Sequence, residues 1–252
     1  MDIRQDTHDV LLFGGTGINK LWHWAGQLYY RELSRVLGDA HIISLAYAGI
    51  PHPKLRHHHA KRVGDHKTPA RRPLVLVGHS QGGVEALWQA LRSERQVDAV
   101  FCLSAPLGGA PLASLVSFMN HLPFAMRYVF EGVLQMIEGS EQLVKLQEHA
   151  TTCALRDNCP DVYLIVAAHD GLVPTQSGWL FPDEYPADKL HRVLLLGGSG
   201  PAPEGLPANV EIWRTRPGMD NHITMIGSHE LHQQILTRLK PREDIKLVIG
   251  SV

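Results

Sequence analysis

Short apolar runs with almost no polar alternation recur along the chain, and each ends in glycine or a polar turn. Val10, Leu11, Leu12 and Phe13 run into Gly14-Gly-Thr-Gly, and Leu74-Val-Leu-Val runs into Gly78-His-Ser-Gln-Gly-Gly. Strands buried on both faces of a parallel sheet carry this pattern. It predicts strands over 10–13, 41–47, 74–77, 97–103, 161–168, 190–196 and 210–214. Helical stretches alternate with them. One covers 21–37, with Asn19 as its cap and Gly38 as its stop, another covers 81–92, and a last one follows a loop within 219–240. Residues 49–72 read as a basic, histidine-rich loop broken by Pro51, Pro53 and Pro69. Residues 107–149 hold apolar, partly helical material where a quick return to the sheet is the norm. Alternating strands and helices predict an α/β fold with a mostly parallel central sheet flanked by helices. The expectation is one domain over 1–252, with 107–149 inserted as a helical cap or lid.

Composition narrows the function classes. The 252 residues are 44% apolar and 19% charged, which suits a globular chain with a large core. Lys plus Arg number 24 and Asp plus Glu 25, so the strong positive bias of a general nucleic-acid binder is missing. Three cysteines are too few for a disulfide framework. Cys102 lies in an apolar run and reads as a buried small hydrophobe, while Cys153 and Cys159 are close enough in sequence to pair in an oxidising compartment. The first residues show no apolar signal-peptide core. The longest uncharged stretch, 99–126, is interrupted by Pro106, Pro111 and Pro123, so no stable membrane insertion is expected. A cytoplasmic location is the expectation.

The chemistry concentrates at Gly78-His79-Ser80-Gln81-Gly82, which matches G-x-S-x-G between a predicted strand and a predicted helix. A sharp strand-to-helix turn lifts the serine oxygen above the sheet, and small residues two positions either side let the backbone turn. The helix behind adds backbone N–H groups and its dipole beside an oxygen that becomes anionic.

These residues resemble those of an α/β-hydrolase, and within that superfamily the chain is similar to bacterial lipases and esterases. Four stretches carry the resemblance: Leu-Phe-Gly-Gly-Thr-Gly at 12–17, Gly-His-Ser-Gln-Gly-Gly at 78–83, Leu-Ser-Ala-Pro-Leu-Gly-Gly-Ala-Pro-Leu-Ala at 103–113, and Asp-Gly-Leu-Val-Pro at 170–174. The third is similar to the Gly-Thr-Pro-His-x-Gly-Ser stretch of such lipases and the fourth to their acid-residue loop. The resemblance implies a triad in the order nucleophile, acid, histidine. Ser80 is then the nucleophile. Asp170 is the acid, because it alone among the later aspartates follows a buried strand; Asp183 is its main rival and Asp220 sits close to the histidine. His222, between the last strand and the last helix, is the base. His229 and His232 fall inside that helix, and His169 points away from Asp170 if the strand pleat persists. The oxyanion hole takes one N–H from Gln81 and a second from the loop after the first strand, at Thr16 or at Gly15. Gly14 stands where that family often has histidine.

The substrate side is less sharply drawn. Trp22 and Trp24 fit the packing face of an amphipathic helix and also fit an aromatic wall for an acyl or alcohol group. Leu107 and Leu112 are candidate substrate contacts at the start of the apolar segment, whose residues 112–137 suit a lid and a core helical pair alike. His52, His57, His58, His59 and His66 lack the helical spacing and the glutamate of a metal site, so a solvated basic loop is expected. Some lipases carry an aspartate for calcium two residues after the catalytic histidine, but Thr224 stands there. No metal and no cofactor are expected.

The sequence thus predicts a serine hydrolase cleaving carboxylic esters, lipase- or esterase-like, through an acyl-enzyme. A thioesterase or acyltransferase on the same triad is the nearest alternative, and a catalytically silent relative that binds an apolar ligand is another. The expected partner is a small ester or lipid-like substrate, with no nucleic acid.

Overall fold

The computed structural model describes residues 9–14, 31, 41–43, 73–93, 95–111, 136–156 and 158–239. Among them, the strands are β1 (Asp9–Phe13), β2 (His41–Ile43), β3 (Leu74–His79), β4 (Val97–Leu103), β5 (Asp161–Ala167), β6 (Leu190–Gly197) and β7 (Val210–Thr215). The helices are α1 (Gln81–Arg92), α2 (Glu141–Ala154), α3 (Thr175–Gly178) and α4 (His229–Arg238), with a 3-10 turn at Thr224–Gly227. All seven strands run parallel in the order β2-β1-β3-β4-β5-β6-β7. The order reverses between β1 and β3, and open α/β sheets bind their ligands at such a switch, outside the carboxyl ends of the strands.

The unbroken apolar runs have a direct cause. Successive side chains leave a strand on opposite faces, and here both faces are covered. Leu74, Leu76, Val100, Cys102, Leu164 and Val166 share one core with Leu87 and Leu91 of α1 and Leu143 and Leu146 of α2. Val75, Val77, Phe101, Leu103, Ile165 and Val193 share the other with Leu231 and Ile235 of α4. Ser140 and Ser228 start α2 and α4 by accepting the N–H of Leu143 and Leu231.

Most strands follow the apolar pattern closely, with small differences at their ends. β3 runs on to His79 because its pairing with β4 continues as far as His79 opposite Leu103. Among the described residues of the predicted 107–149 segment lies the start of α2, which begins at Glu141 and continues to Ala154, packed against α1. The predicted helix over 21–37, apart from Arg31, the histidine-rich loop 49–72 and the segment 112–135 lie outside the described residues. Cys102, Cys153 and Cys159 are buried free thiols. Among the described residues, no helix is long and apolar enough to cross a membrane.

Candidate active site

β3 and α1 meet at Ser80, whose backbone has φ 55° and ψ −127°. A left-handed φ on a non-glycine residue costs about 1–3 kcal/mol and persists only where its surroundings impose it. They do so here. The Ser80 N–H donates to the Leu103 carbonyl at 2.8 Å, and the Ser80 carbonyl accepts from the Gly83 N–H at 2.9 Å. A Cβ on Gly78 would lie 2.1 Å from the Gly82 carbonyl oxygen, and one on Gly82 would lie 2.3 Å from that of Gly14. The two glycines of the motif therefore let the turn close on itself and dock on the end of β1, at the switch point.

The loop after β5 supplies Asp170. Its Oδ1 accepts the backbone N–H groups of Leu172 and Val173 at 2.9 and 2.8 Å. His222 Nδ1 lies 2.9 Å from Oδ2 and 3.1 Å from Oδ1. The carboxylate is 1% exposed and the imidazole 11%. Burial pushes the Asp170 carboxyl up, but hydrogen bonds from His222, Ser104 and Val173 outweigh it and hold it below the usual carboxylate range. An ionised Asp170 keeps the proton of neutral His222 on Nδ1 and leaves the Nε2 lone pair free to accept one.

His79, the residue before Ser80, brings that imidazole next to the elbow. Its ring centre lies 4.7 Å from the His222 ring. Its Nε2 donates to the His222 carbonyl at 2.7 Å. Burial, and then the neighbouring His222 charge, lower the His79 pKa from 6.5 to about 3, so it remains a neutral donor. The motif read from sequence gave this position no role.

The roles of two further residues emerge only in three dimensions. Ser104, fully buried with φ 44°, sits at the end of β4; its hydroxyl lies 3.4 Å from the Ala167 N–H and 3.1 Å from Met225 Sδ. It joins the Asp170 loop to the segment after His222. Asp220, weighed above as a rival acid, turns away from His222. Its Oδ2 accepts from Gly197 N–H at 2.8 Å and pairs with His169 Nδ1 at 2.7 Å.

The remaining predicted residues divide cleanly. Gln81 is the first residue of α1, half-buried. Leu107 is buried in the core beside α1 and α2. Asp183 lies exposed in a surface turn. His232 is buried in α4, its Nε2 donating to the Ile226 carbonyl, and His229 is exposed. Thr224 uses its hydroxyl on the Gly218 carbonyl at 2.6 Å. Among the described residues, no group of three or more His, Cys, Asp or Glu is arranged to hold a metal ion. Gly15, Thr16, Trp22, Trp24 and Leu112 lie outside the described residues.

No protein-family model and no curated protein matches the chain. Among solved structures, a lipase-esterase related protein from Clostridium acetobutylicum is similar over 93% of this chain and 94% of its own, at 15% identity and a TM-score of 0.52. An esterase of Pyrococcus furiosus is similar over 93% of this chain and 80% of its own, at 12% identity and a TM-score of 0.50. Phospholipase PlaB from Legionella pneumophila aligns with 68% of this chain at 14% identity and a TM-score of 0.45, and the match spans 44% of that protein's length. Parallel strands in switched order, a strained serine between strand and helix, and near full-length likeness to the first two structures lead to one conclusion: this chain has the α/β-hydrolase fold.

Proposed function

We propose that this chain is a serine hydrolase of carboxylic esters, with Ser80 as nucleophile, His222 as general base and Asp170 as its orienting carboxylate. The observation that carries the reading is the His222–Asp170 pair, with Nδ1 on both carboxylate oxygens and the ring held 4.7 Å from that of His79, the neighbour of Ser80, at a tilt of 55°. The esterase and lipase-related names of the similar structures agree with it.

In this reading, His222 Nε2 takes the Ser80 hydroxyl proton as Oγ attacks the ester carbonyl. The carbonyl oxygen becomes an oxyanion, held by the Gln81 N–H and by a donor from the loop after β1, Thr16 or Gly15. Asp170 stabilises the imidazolium formed meanwhile. The intermediate collapses as the C–O bond to the alcohol breaks and His222 returns its proton to the leaving oxygen. Water, deprotonated by His222, then attacks the acyl-enzyme; the acid departs and Ser80 regains its proton. Protein groups and water complete this cycle.

The uncharged run 99–126 favours an apolar acyl group, and a cap or lid within 107–149 is what we propose to receive it. Each methylene it buries adds about 0.8 kcal/mol of binding. A p-nitrophenyl ester series tests both levels of the reading. kcat/KM should rise from acetyl to at least butyryl or hexanoyl, and Ser80→Ala should lower hydrolysis by about 10³-fold or more. A steep preference for acetyl contradicts the apolar acyl site. Activity surviving in Ser80→Ala contradicts the nucleophile.

A further inference from the structure

Two histidine–carboxylate pairs, not one, join the loop after β5 to the loop after β7. His169 and Asp170 are consecutive on the first loop, while Asp220 and His222 stand two apart on the second. The buried pair is Asp170 with His222. The other runs in the opposite sense, from His169 to Asp220, with Nδ1 2.7 Å from Oδ2. A backbone bond doubles it, since the His169 N–H donates to the Asp220 carbonyl at 2.9 Å. The His169 side chain is 73% exposed and that of Asp220 6%.

Asp220 also ties its loop to the end of β6. Its Oδ2 accepts the Gly197 N–H at the end of β6, and a Cβ on Gly197 would lie 2.7 Å from its Oδ1. Burial raises the Asp220 carboxyl, but the Gly197 and His169 hydrogen bonds outweigh it and hold it below the usual range. The carboxylate therefore stays charged at neutral pH and keeps its pull on both donors.

We infer that the His169–Asp220 pair is a positioning device that sets the register of His222 on Asp170. The inference rests on the triad reading above. The two pairs are one residue apart on one loop and two apart on the other. A slip of Asp220 therefore drags the His222 backbone with it and lengthens the Nδ1–Asp170 bond. His169 itself reaches no reacting atom; it acts through Asp220. Misplacing a reacting group by about 1 Å from a distance can cost up to roughly 10²-fold in rate. Because His169 is largely exposed, its loss is expected to cost about tenfold in kcat.

The test uses the full-length protein, p-nitrophenyl butyrate and three variants. His169→Ala should lower kcat about tenfold with KM changed less than about twofold, the signature of a misplaced group with intact substrate binding. His169→Asn, whose amide nitrogen takes the place of Nδ1, should restore most of the loss. Proton NMR provides a readout that stability alone does not move. The most downfield resonance that Asp170→Ala abolishes, the His222 Nδ1–H, should shift or broaden in His169→Ala and return in His169→Asn. Unchanged kcat and an unmoved resonance in His169→Ala overturn the inference, as does an asparagine variant no better than alanine. Ser80→Ala, run beside them, separates the two failures. If it stays active, the triad reading has failed; if it is inactive while His169→Ala is normal, only the positioning role has.

Discussion

Asp170→Asn is expected to lower kcat for ester hydrolysis by about 10³–10⁴-fold with little change in KM and a fold that survives. The asparagine oxygen can still accept the N–H groups of Leu172 and Val173, so the loop keeps its two backbone anchors. The other atom becomes an NH₂ group facing His222 Nδ1 where Oδ2 now lies 2.9 Å away. Two donors cannot face one another, so the imidazole moves its proton to Nε2 or turns away. Either change removes the lone pair that accepts the Ser80 proton, and the counter-charge for the imidazolium is lost as well. Steady-state kinetics with circular dichroism measure this. A variant retaining a tenth of the parent kcat contradicts the role. Asp183→Asn, on an exposed turn, should leave the rate near that of the parent.

The second large effect is on stability in acid. His79 is 3% exposed, and burial with the nearby His222 lowers its pKa to about 3. In the unfolded chain it titrates near the ordinary histidine value of 6.5. Between those limits the unfolded state binds the extra proton, so stability falls as pH falls, by up to about 1.4 kcal/mol per pH unit. His79 alone then withdraws on the order of 4 kcal/mol between pH 6.5 and 3, a large part of a typical folding free energy. Asp170 and Asp220, both depressed, act in the same direction at lower pH. Their contribution is present above the unfolded carboxylate pKa and is lost as pH falls through their folded values. His79→Asn, which does not titrate, should give urea unfolding free energies with a visibly flatter slope from pH 6.5 to 4. The slope is the readout, so a uniform loss of stability in the variant does not obscure it. A slope as steep as the parent's contradicts the assignment.

The sheet was legible because its physics is local. A strand covered on both faces is apolar throughout, and seven parallel strands leave that mark in the runs at 74–77, 97–103 and 161–168. The elbow was legible for the same reason, since Gly78 and Gly82 answer to contacts within and beside a five-residue turn. What holds the candidate site together is not local. His79 reaches the His222 carbonyl across 143 residues, Ser104 reaches Ala167 across 63, and His169 reaches Asp220 across 51. No spacing rule encodes such pairs. The same applies to Asp220, which from sequence is simply an acidic neighbour of His222. Only the approach of β6 shows its carboxylate engaged by Gly197 and His169. The apolar block 107–149 conceals a boundary for a related reason. Leu143 and Leu146 are apolar because they face the core, which hydrophobicity alone does not distinguish from facing a ligand.

The most direct test of the account is covalent. A fluorophosphonate transfers its phosphonyl group to an activated serine oxygen and releases fluoride, so it reports the nucleophile and its base in one step. Incubated with the folded protein and followed by intact mass and peptide mapping, it is predicted to give one adduct per chain, on Ser80. The adduct should be absent in Ser80→Ala and should form far more slowly in His222→Ala. Labelling that persists in Ser80→Ala, or a chain that hydrolyses esters with no adduct at Ser80, would contradict the account.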